Sequence, residues 1–143
     1  MDVGMEMSLA ESERCIDGLA QTAPFRFVDR VCYLDEERVV AELHGRNMPD
    51  RFVDAAGVNA YAVLEFAAQS SGLVLRGRKT NGARGVIASF RGVEWKTREP
   101  LRLPLRLESR LVDERWTRFE FDFRVYSEEV LGVVGSIGIV IGR

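Results

Sequence analysis

The most informative pattern in the chain is a long apolar stretch with helical spacing, which runs from residue 55 to residue 76. Within it, Tyr61, Glu65 and Gln69 recur at every fourth position and form one polar stripe among small and hydrophobic residues. A carboxylate in such surroundings is costly to bury unless it is protonated or hydrogen-bonded. The pattern therefore predicts a buried central helix with Glu65 as a candidate acid or base.

Alternation of apolar and polar positions predicts β-strands on both sides of this helix. We expect two strands at 25–34 and 38–44, joined by a turn at 35–37 and followed by a loop over 45–54. After a glycine-rich, basic turn at 77–85, four more strands are expected at 86–95, 101–111, 119–125 and 131–141. Gly92 predicts a bulge in the first of these four, and Pro104 indicates an edge or a bulge at the start of the second.

A short amphipathic helix is predicted at 8–20, where Ser8 and Glu11 have the spacing of a capping box.

The last strand is apolar on both faces, which suits a central position in a sheet. This order of elements predicts an α+β fold in which an antiparallel sheet of about six strands wraps the long helix. We expect one domain over residues 1–143, with 1–22 as an N-terminal helical segment. Because such a sheet covers only one side of the helix, a dimer with edge-to-edge sheets and pockets at the seam is expected.

Composition narrows the classes of function. The net charge of −2 argues against general affinity for nucleic acid, and no run is long enough for a membrane span. The first residues lack a secretory signal pattern, so a cytoplasmic location is expected. Cys15 and Cys32 are therefore expected to be free thiols. With a single histidine and no Cys-x-x-Cys motif, we assign no metal and no cofactor.

Two segments of the chain carry a family resemblance. Residues 23–31 read Ala-Pro-Phe-Arg-Phe-Val-Asp-Arg-Val, and residues 64–72 read Leu-Glu-Phe-Ala-Ala-Gln-Ser-Ser-Gly. The first resembles the opening strand (P-F-x-h-h-D-R-V, where h is apolar) and the second the central helix (E-x-h-A-Q-x-x-G) of hotdog-fold 3-hydroxyacyl-[acyl-carrier-protein] dehydratases. With the strand order, the resemblance covers essentially the whole chain after residue 22. It implies a hotdog fold and acyl-thioester chemistry in fatty-acid or polyketide-like synthesis.

The chain departs from that family at one position. The family's helix glutamate works with a histidine fourteen residues earlier, in a His-Phe-Pro-Gly turn, whereas counting back from Glu65 gives Arg51. Residues 52–60, Phe-Val-Asp-Ala-Ala-Gly-Val-Asn-Ala, are more similar to a divergent branch of predicted dehydratases from aryl-polyene and related pathways. That branch also lacks the turn histidine. His44 is the single imidazole of the chain, and it fits a strand-end or surface residue better than a base.

Elimination of water from a 3-hydroxyacyl thioester needs an acid, a base and donors for the thioester oxygen. Glu65 is the candidate catalytic residue, as the acid or as both, if burial raises its pKa toward neutrality. The alternative is a structural role, in which a hydrogen bond from a neighbouring strand or subunit holds the carboxylate. The backbone N–H groups of Gly57, Val58 and Asn59, at the predicted helix N-terminus, are candidate oxyanion donors.

Further residues are expected to contact the substrate or its carrier. Gln69 can orient Glu65, Tyr61 can line the tunnel, and Arg51 can contact a phosphate or the thioester. Residues 66–93 contain no acidic side chain, and the local positive field suits an acidic acyl carrier protein or the phosphates of coenzyme A. The residues assigned to carrier docking are Arg76, Arg78, Lys79 and Arg84. An ordinary solvated turn is the alternative, and Trp95 and Trp116 are most simply core or interface anchors.

The leading hypothesis is a cytoplasmic homodimer with dehydratase-like activity on carrier-protein or coenzyme A thioesters. Two alternatives remain open. An acyl thioesterase would use the helix carboxylate to activate water. A non-catalytic hotdog subunit would instead shape a tunnel for an active, related dehydratase. The missing turn histidine favours this alternative.

Overall fold

The computed structural model describes residues 7–17, 26–46, 48–77 and 85–142. Two helices and eight strands follow one another along these residues, and short 3-10 turns at Asp50–Phe52 and Leu75–Gly77 flank the second helix. The elements in chain order are α1 (Leu9–Asp17), β1 (Arg30–Leu34), β2 (Arg38–Leu43), β3 (Val53–Asp54), β4 (Gly57–Val58), α2 (Ala60–Val74), β5 (Gly85–Trp95), β6 (Leu105–Arg115), β7 (Arg118–Ser127) and β8 (Val130–Gly142).

Six of the strands form one antiparallel sheet in the order β1-β2-β6-β7-β8-β5. Helix α2 packs on one face of this sheet, against β2, β6, β7 and β8. We call this the inner face and the opposite one the outer face. The predicted α+β architecture, a long helix wrapped by about six antiparallel strands, is confirmed. Strand β8 lies between β7 and β5, inside the sheet, as its two apolar faces predict.

The core lies between α2 and the inner face. On β7, Phe119, Phe121, Phe123 and Val125 alternate with polar residues and are at most 3 % exposed. Each buried side chain of this size contributes about 1.5–3 kcal/mol to folding. Phe66 and its apolar neighbours on α2 pack against these side chains. The alternating spacing of the strand and the helical spacing of α2 therefore place their apolar residues in the same core.

Helix α1 covers the free edge of β1. The predicted capping box is confirmed, because Glu11 N–H donates to Ser8 Oγ at 3.1 Å and the two side chains are hydrogen-bonded. One turn later, buried Ser12 Oγ accepts the N–H of Val31 at 2.7 Å. A backbone donor at the sheet edge therefore has a partner from α1, which closes this edge to further strands. The predicted end of the helix, residues 18–20, lies outside the described residues.

The start of α2 differs from the prediction. Residues 53–58 form the small antiparallel hairpin β3-β4, and the helix begins at Ala60, not at residue 55. Gly57 has a φ of +93°, and a Cβ there would lie 2.6 Å from the carbonyl oxygen of Leu101. This close approach fixes a turn in a segment whose apolar spacing predicted helix. The first described strand also starts later than predicted, at Arg30.

Two local predictions for the later strands can be compared directly with the structure. Gly92 has a φ of +59°, and the β5-β8 register shifts between Arg91 and Glu94, so the predicted bulge is confirmed. The edge or bulge predicted at Pro104 is wrong, because β6 pairs with β2 and β7 on its two sides and its register is regular from Leu105 to Arg110. Pro104 instead directly precedes the strand, since proline cannot donate to the ladder. Neither tryptophan is in the core, since Trp95 is 47 % exposed and Trp116 is 97 % exposed.

Cys32 is a free thiol on β1. Burial, together with the nearby carboxylate of Glu42, raises its pKa to about 11. The thiol is therefore protonated and unreactive at neutral pH. In the part of the chain that the structure describes, no helix is long and apolar enough to cross a membrane.

Candidate functional site

The centre of the candidate site is a short chain of hydrogen bonds on α2. Gln69 is 4 % exposed, and its Oε1 accepts the backbone N–H of buried Phe27 at 2.9 Å. This contact fixes the orientation of the amide, so that Nε2 donates to Oε1 of half-buried Glu65 at 3.3 Å. Within the predicted stripe, Gln69 is therefore the donor and the Glu65 carboxylate the acceptor. Among the described residues, Gln69 is the one hydrogen-bond donor to this carboxylate.

Three aromatic rings form a wall one helical turn before Glu65. The Phe52 and Tyr61 rings stack with centroids 5.5 Å apart, and Phe27 meets each of them edge-on at 5.6 and 6.3 Å. The guanidinium of exposed Arg51 lies 4.9 Å from the Phe52 centroid. Tyr61 remains 55 % exposed. The carboxylate therefore lies beside an apolar surface with a cation at its rim.

Phe27 and Phe52 were not among the predicted site residues. The only signal was their place in apolar segments, and one of these precedes α2 by more than thirty residues. They meet because the Phe27 backbone is tied to Gln69 on α2, while Phe52 ends the 3-10 turn just before the β3-β4 hairpin.

The residues before α2 use their backbone N–H groups within the protein. Val58 N–H donates to Leu101 O at 2.8 Å, and Asn59 N–H donates to Phe52 O at 2.6 Å. Asn59 also caps α2, since its Oδ1 accepts the Tyr61 N–H at 2.7 Å. The oxyanion role predicted for Val58 and Asn59 would require these hydrogen bonds to break.

His44 lies away from Glu65. Its Nε2 is 2.8 Å from Oε1 of Glu42, and its N–H donates to Asp29 Oδ2 at 2.6 Å. On β2 the neighbours Ala41 and Leu43 are fully buried on the inner face, so the Glu42 side chain and the imidazole it holds belong to the outer face. The chain's histidine is therefore on the side of the sheet opposite to α2.

The predicted carrier-docking residues are only partly described. Arg76 is exposed in the 3-10 turn that follows α2. It is separated from Tyr61 by the length of the helix, about 20 Å at 1.5 Å per residue. Arg78, Lys79 and Arg84 lie outside the described residues. Within those described, no group of three or more His, Cys, Asp or Glu side chains could hold a metal ion.

No protein-family model and no curated protein matches the sequence. Solved structures do match. One is the ApeI:P dehydratase heterocomplex of Xenorhabdus doucetiae, with a TM-score of 0.73 and 14 % identity over 87 % of this chain and 88 % of that chain. A second is the HP0420 homologue of Helicobacter felis, with a TM-score of 0.69 and 12 % identity over 100 % and 98 %. A third is smu.793 of Streptococcus mutans bound to acetyl CoA, with a TM-score of 0.63 and 14 % identity over 87 % and 95 %.

These likenesses, with the helix-and-sheet topology, decide the fold. The chain has the hotdog fold. Helix α2 is the hotdog helix, and the polar stripe of Glu65 and Gln69 runs along it. The aromatic wall lies at the N-terminal end of this helix, and Arg76 lies past its C-terminal end.

Proposed function

We propose that this protein acts on acyl thioesters at a site centred on Glu65, with dehydration of a 3-hydroxyacyl thioester as the leading reaction. The observation that carries the proposal is the path from Phe27 N–H through Gln69 to the Glu65 carboxylate beside three aromatic rings. An acid–base group held by an oriented amide next to an apolar wall suits a reaction on an acyl chain. A structural likeness to a dehydratase heterocomplex supports this choice.

In the proposed reaction Glu65 acts twice. Its carboxylate takes the C2 proton as the electrons of that bond form the C2–C3 double bond. The C3–O bond breaks, and the proton on Glu65 goes to the leaving hydroxyl, so that water departs and the carboxylate is restored. Gln69 keeps one carboxylate oxygen in place, and Arg51 at the rim is suited to a carrier phosphate.

The proposed assembly is a homodimer, or a heterodimer with a related hotdog subunit. Strand β5 pairs only with β8 among the described residues, so its other edge is open, whereas α1 covers the edge of β1. An open edge of eleven residues with the half-exposed Trp95 favours strand pairing. A second subunit there would cover the exposed side of α2 and enclose Glu65.

The substrate of this protein would arrive on an acidic carrier protein or coenzyme A, with Arg76, Arg78, Lys79 and Arg84 as docking residues.

A second candidate function is that of a silent subunit. Arg51 stands where the related dehydratases have a histidine, and His44 is held by Glu42 on the outer face. A chain without an imidazole at its site can instead shape the tunnel of an active partner. The likeness to a heterocomplex is consistent with this role as well.

The deciding experiment supplies purified protein with a 3-hydroxyacyl-carrier thioester and follows the products by mass spectrometry. Formation of the 2-enoyl thioester is the expected result. Release of the free carrier thiol would show a thioesterase, in which Glu65 activates water. Inactivity of the protein alone, with activity appearing only when a related dehydratase is added, would favour the silent subunit.

A further inference from the structure

The outer face of the β6-β7 hairpin carries an ordered pattern of charge. Side chains directly opposite each other across the two strands share this face, because the β7 residues between them, Phe119, Phe121, Phe123 and Val125, are buried on the inner face. From the β7-β8 end to the hairpin tip, the pairs are Arg106–Tyr126, Glu108–Arg124, Arg110–Asp122, Asp113–Glu120 and Arg115–Arg118. The second and third pairs match opposite charges within the chain, whereas the fourth sets two carboxylates opposite each other. The last pair sets two arginines against each other, which is unfavourable without a nearby anion.

The hairpin tip presents an unusual side chain. Trp116 is 97 % exposed and has a φ of +58°, a left-handed backbone conformation that L side chains rarely adopt. It is flanked by Arg115 and Arg118. Arg115 contacts Asp113 at 3.3 Å, while no described carboxylate forms an ion pair with Arg118. An exposed indole between two arginines has the composition of an interface anchor.

The other end of the same hairpin holds a groove of about 470 Å³. Its lining residues are Pro104, Arg106, Glu108, Tyr126, Glu128 and Glu129. Glu128 and Glu129 both have positive φ values in the turn between β7 and β8. With three carboxylates and one guanidinium, the groove is net negative, and Pro104 and Tyr126 give it apolar surface.

We propose that the outer faces of two copies of this chain pack against each other, with the Trp116 tip of each copy seated in the groove of the other. A two-fold axis parallel to the sheet and perpendicular to the strands makes the two hairpins antiparallel. With the axis between the second and third pairs, Glu108 faces the second copy's Arg110, and Arg124 faces the second copy's Asp122. Such an interface is isologous, because each contact occurs twice.

The same two-fold rotation brings opposite charges together at the ends of the two hairpins. Arg106 faces the second copy's Asp113, and Glu128 and Glu129 meet the Arg115–Arg118 pair beside Trp116. Arg118, which forms no ion pair with a described carboxylate of its own chain, thereby gains one, and Arg115 gains a second beside Asp113. Asp113 shares the outer face with the two arginines and finds Arg106 in a second copy, whereas it would repel the main competitor, an anionic lipid surface. A second copy of this chain is therefore the occupant that fits the charges at both ends of the hairpin.

This contact uses a different face from the proposed β5 pairing, so the two can coexist and give four chains. The first test is the molar mass of the full chain by light scattering across a range of concentrations. Trp116→Ala should halve the mass of the wild-type particle. Glu128→Arg with Glu129→Arg should do the same, and adding Arg115→Glu with Arg118→Glu should restore it. Equal masses for wild type and all variants, or Trp116-dependent binding to anionic vesicles with no change in mass, would overturn the proposal.

A second test asks, by disulfide cross-linking, whether the predicted positions of the two copies lie close together. In a Cys15→Ser, Cys32→Ser background, Thr117→Cys combined with Glu129→Cys should form disulfide-linked dimers under mild oxidation, because the same rotation sets Thr117 opposite Glu129 and leaves Trp116 and Glu128 in place. The two positions lie at opposite ends of one hairpin, about 30 Å apart at 3.3 Å per residue, so a link within one copy is excluded. Thr117→Cys alone is the control and should stay unlinked. Failure of the double variant to cross-link more than this control would contradict the arrangement.

Discussion

At the scale of single residues, the chemistry depends on how two neighbouring polar side chains on α2 are held. Gln69 is committed to Phe27 and can offer Glu65 only its amide donors. Among the described residues, Gln69 donates to one oxygen of the Glu65 carboxylate. The other oxygen can therefore accept a hydrogen bond or a proton from a ligand. Catalytic and structural roles of these two residues can therefore be separated by substitution.

Glu65→Gln should abolish turnover and leave the fold intact. The amide oxygen can still accept from Gln69, but it cannot take or return a proton, so kcat should fall by at least about 10²-fold. The melting temperature should be equal to or above that of wild type, since an uncharged group is less costly to bury. Initial rates and thermal unfolding check both points, with Glu37→Gln in the exposed β1-β2 turn as control. Loss of folding would instead indicate that the carboxylate is structural.

Gln69→Leu should destabilise the protein. It leaves the N–H of fully buried Phe27 without an acceptor, at a cost of about 1–3 kcal/mol. The adjacent Ser70 is a matched control, because it is equally buried and its Oγ has no hydrogen-bond partner among the described residues. Ser70→Ala should be neutral or stabilising. Urea unfolding measures both, and equal losses for the two variants would contradict the role given to Gln69.

At the scale of elements, the hairpin before α2 decides where the helix begins. Gly57 lets β4 approach Leu101, and Asn59 then caps the helix. This arrangement places Phe52 and Tyr61 side by side. The position of the aromatic wall therefore depends on a glycine with positive φ rather than on the helix itself.

Gly57→Ala and Gly72→Ala should change the free energy of unfolding in opposite directions. At Gly57 the new Cβ would lie 2.6 Å from a carbonyl oxygen in a left-handed conformation, so a loss of more than about 1 kcal/mol is expected. At Gly72, inside α2, the Cβ meets no atom within 4 Å, and alanine should add about 0.5–1 kcal/mol. Chemical denaturation compares them. Similar effects of both substitutions would show that the hairpin is not tightly held.

At the scale of the whole molecule, the two edges of the sheet are unequal. Helix α1 satisfies a backbone donor at the β1 edge through Ser12, while no strand among the described residues pairs with the outer edge of the eleven-residue β5. Exposed Ala88 and Trp95 lie on this strand, on the inner face that continues toward α2. Assembly and completion of the site are thus expected to depend on β5.

Ala88→Lys should weaken the pairing of subunits through β5 and reduce turnover with it. A charge that points inward on an edge strand opposes strand addition, which is how natural edges avoid pairing. Ala10→Lys on the exposed side of α1 is the matched control and should leave both properties unchanged. Sedimentation of the variants, together with the thioester assay, provides the measurement. Full activity in a dissociated Ala88→Lys chain would show that one subunit is sufficient.

The order of residues was enough to predict the long helix, the strands and their alternation, because periodicity follows directly from which side chains must face a core. It also predicted the Tyr61, Glu65 and Gln69 stripe, since every fourth residue of a helix shares one side. The start of the helix at Ala60, the meeting of Phe27 and Phe52 with Tyr61, and the position of His44 away from Glu65 became visible only in the folded chain. These features depend on contacts between segments far apart in the chain, and no local pattern encodes such distances.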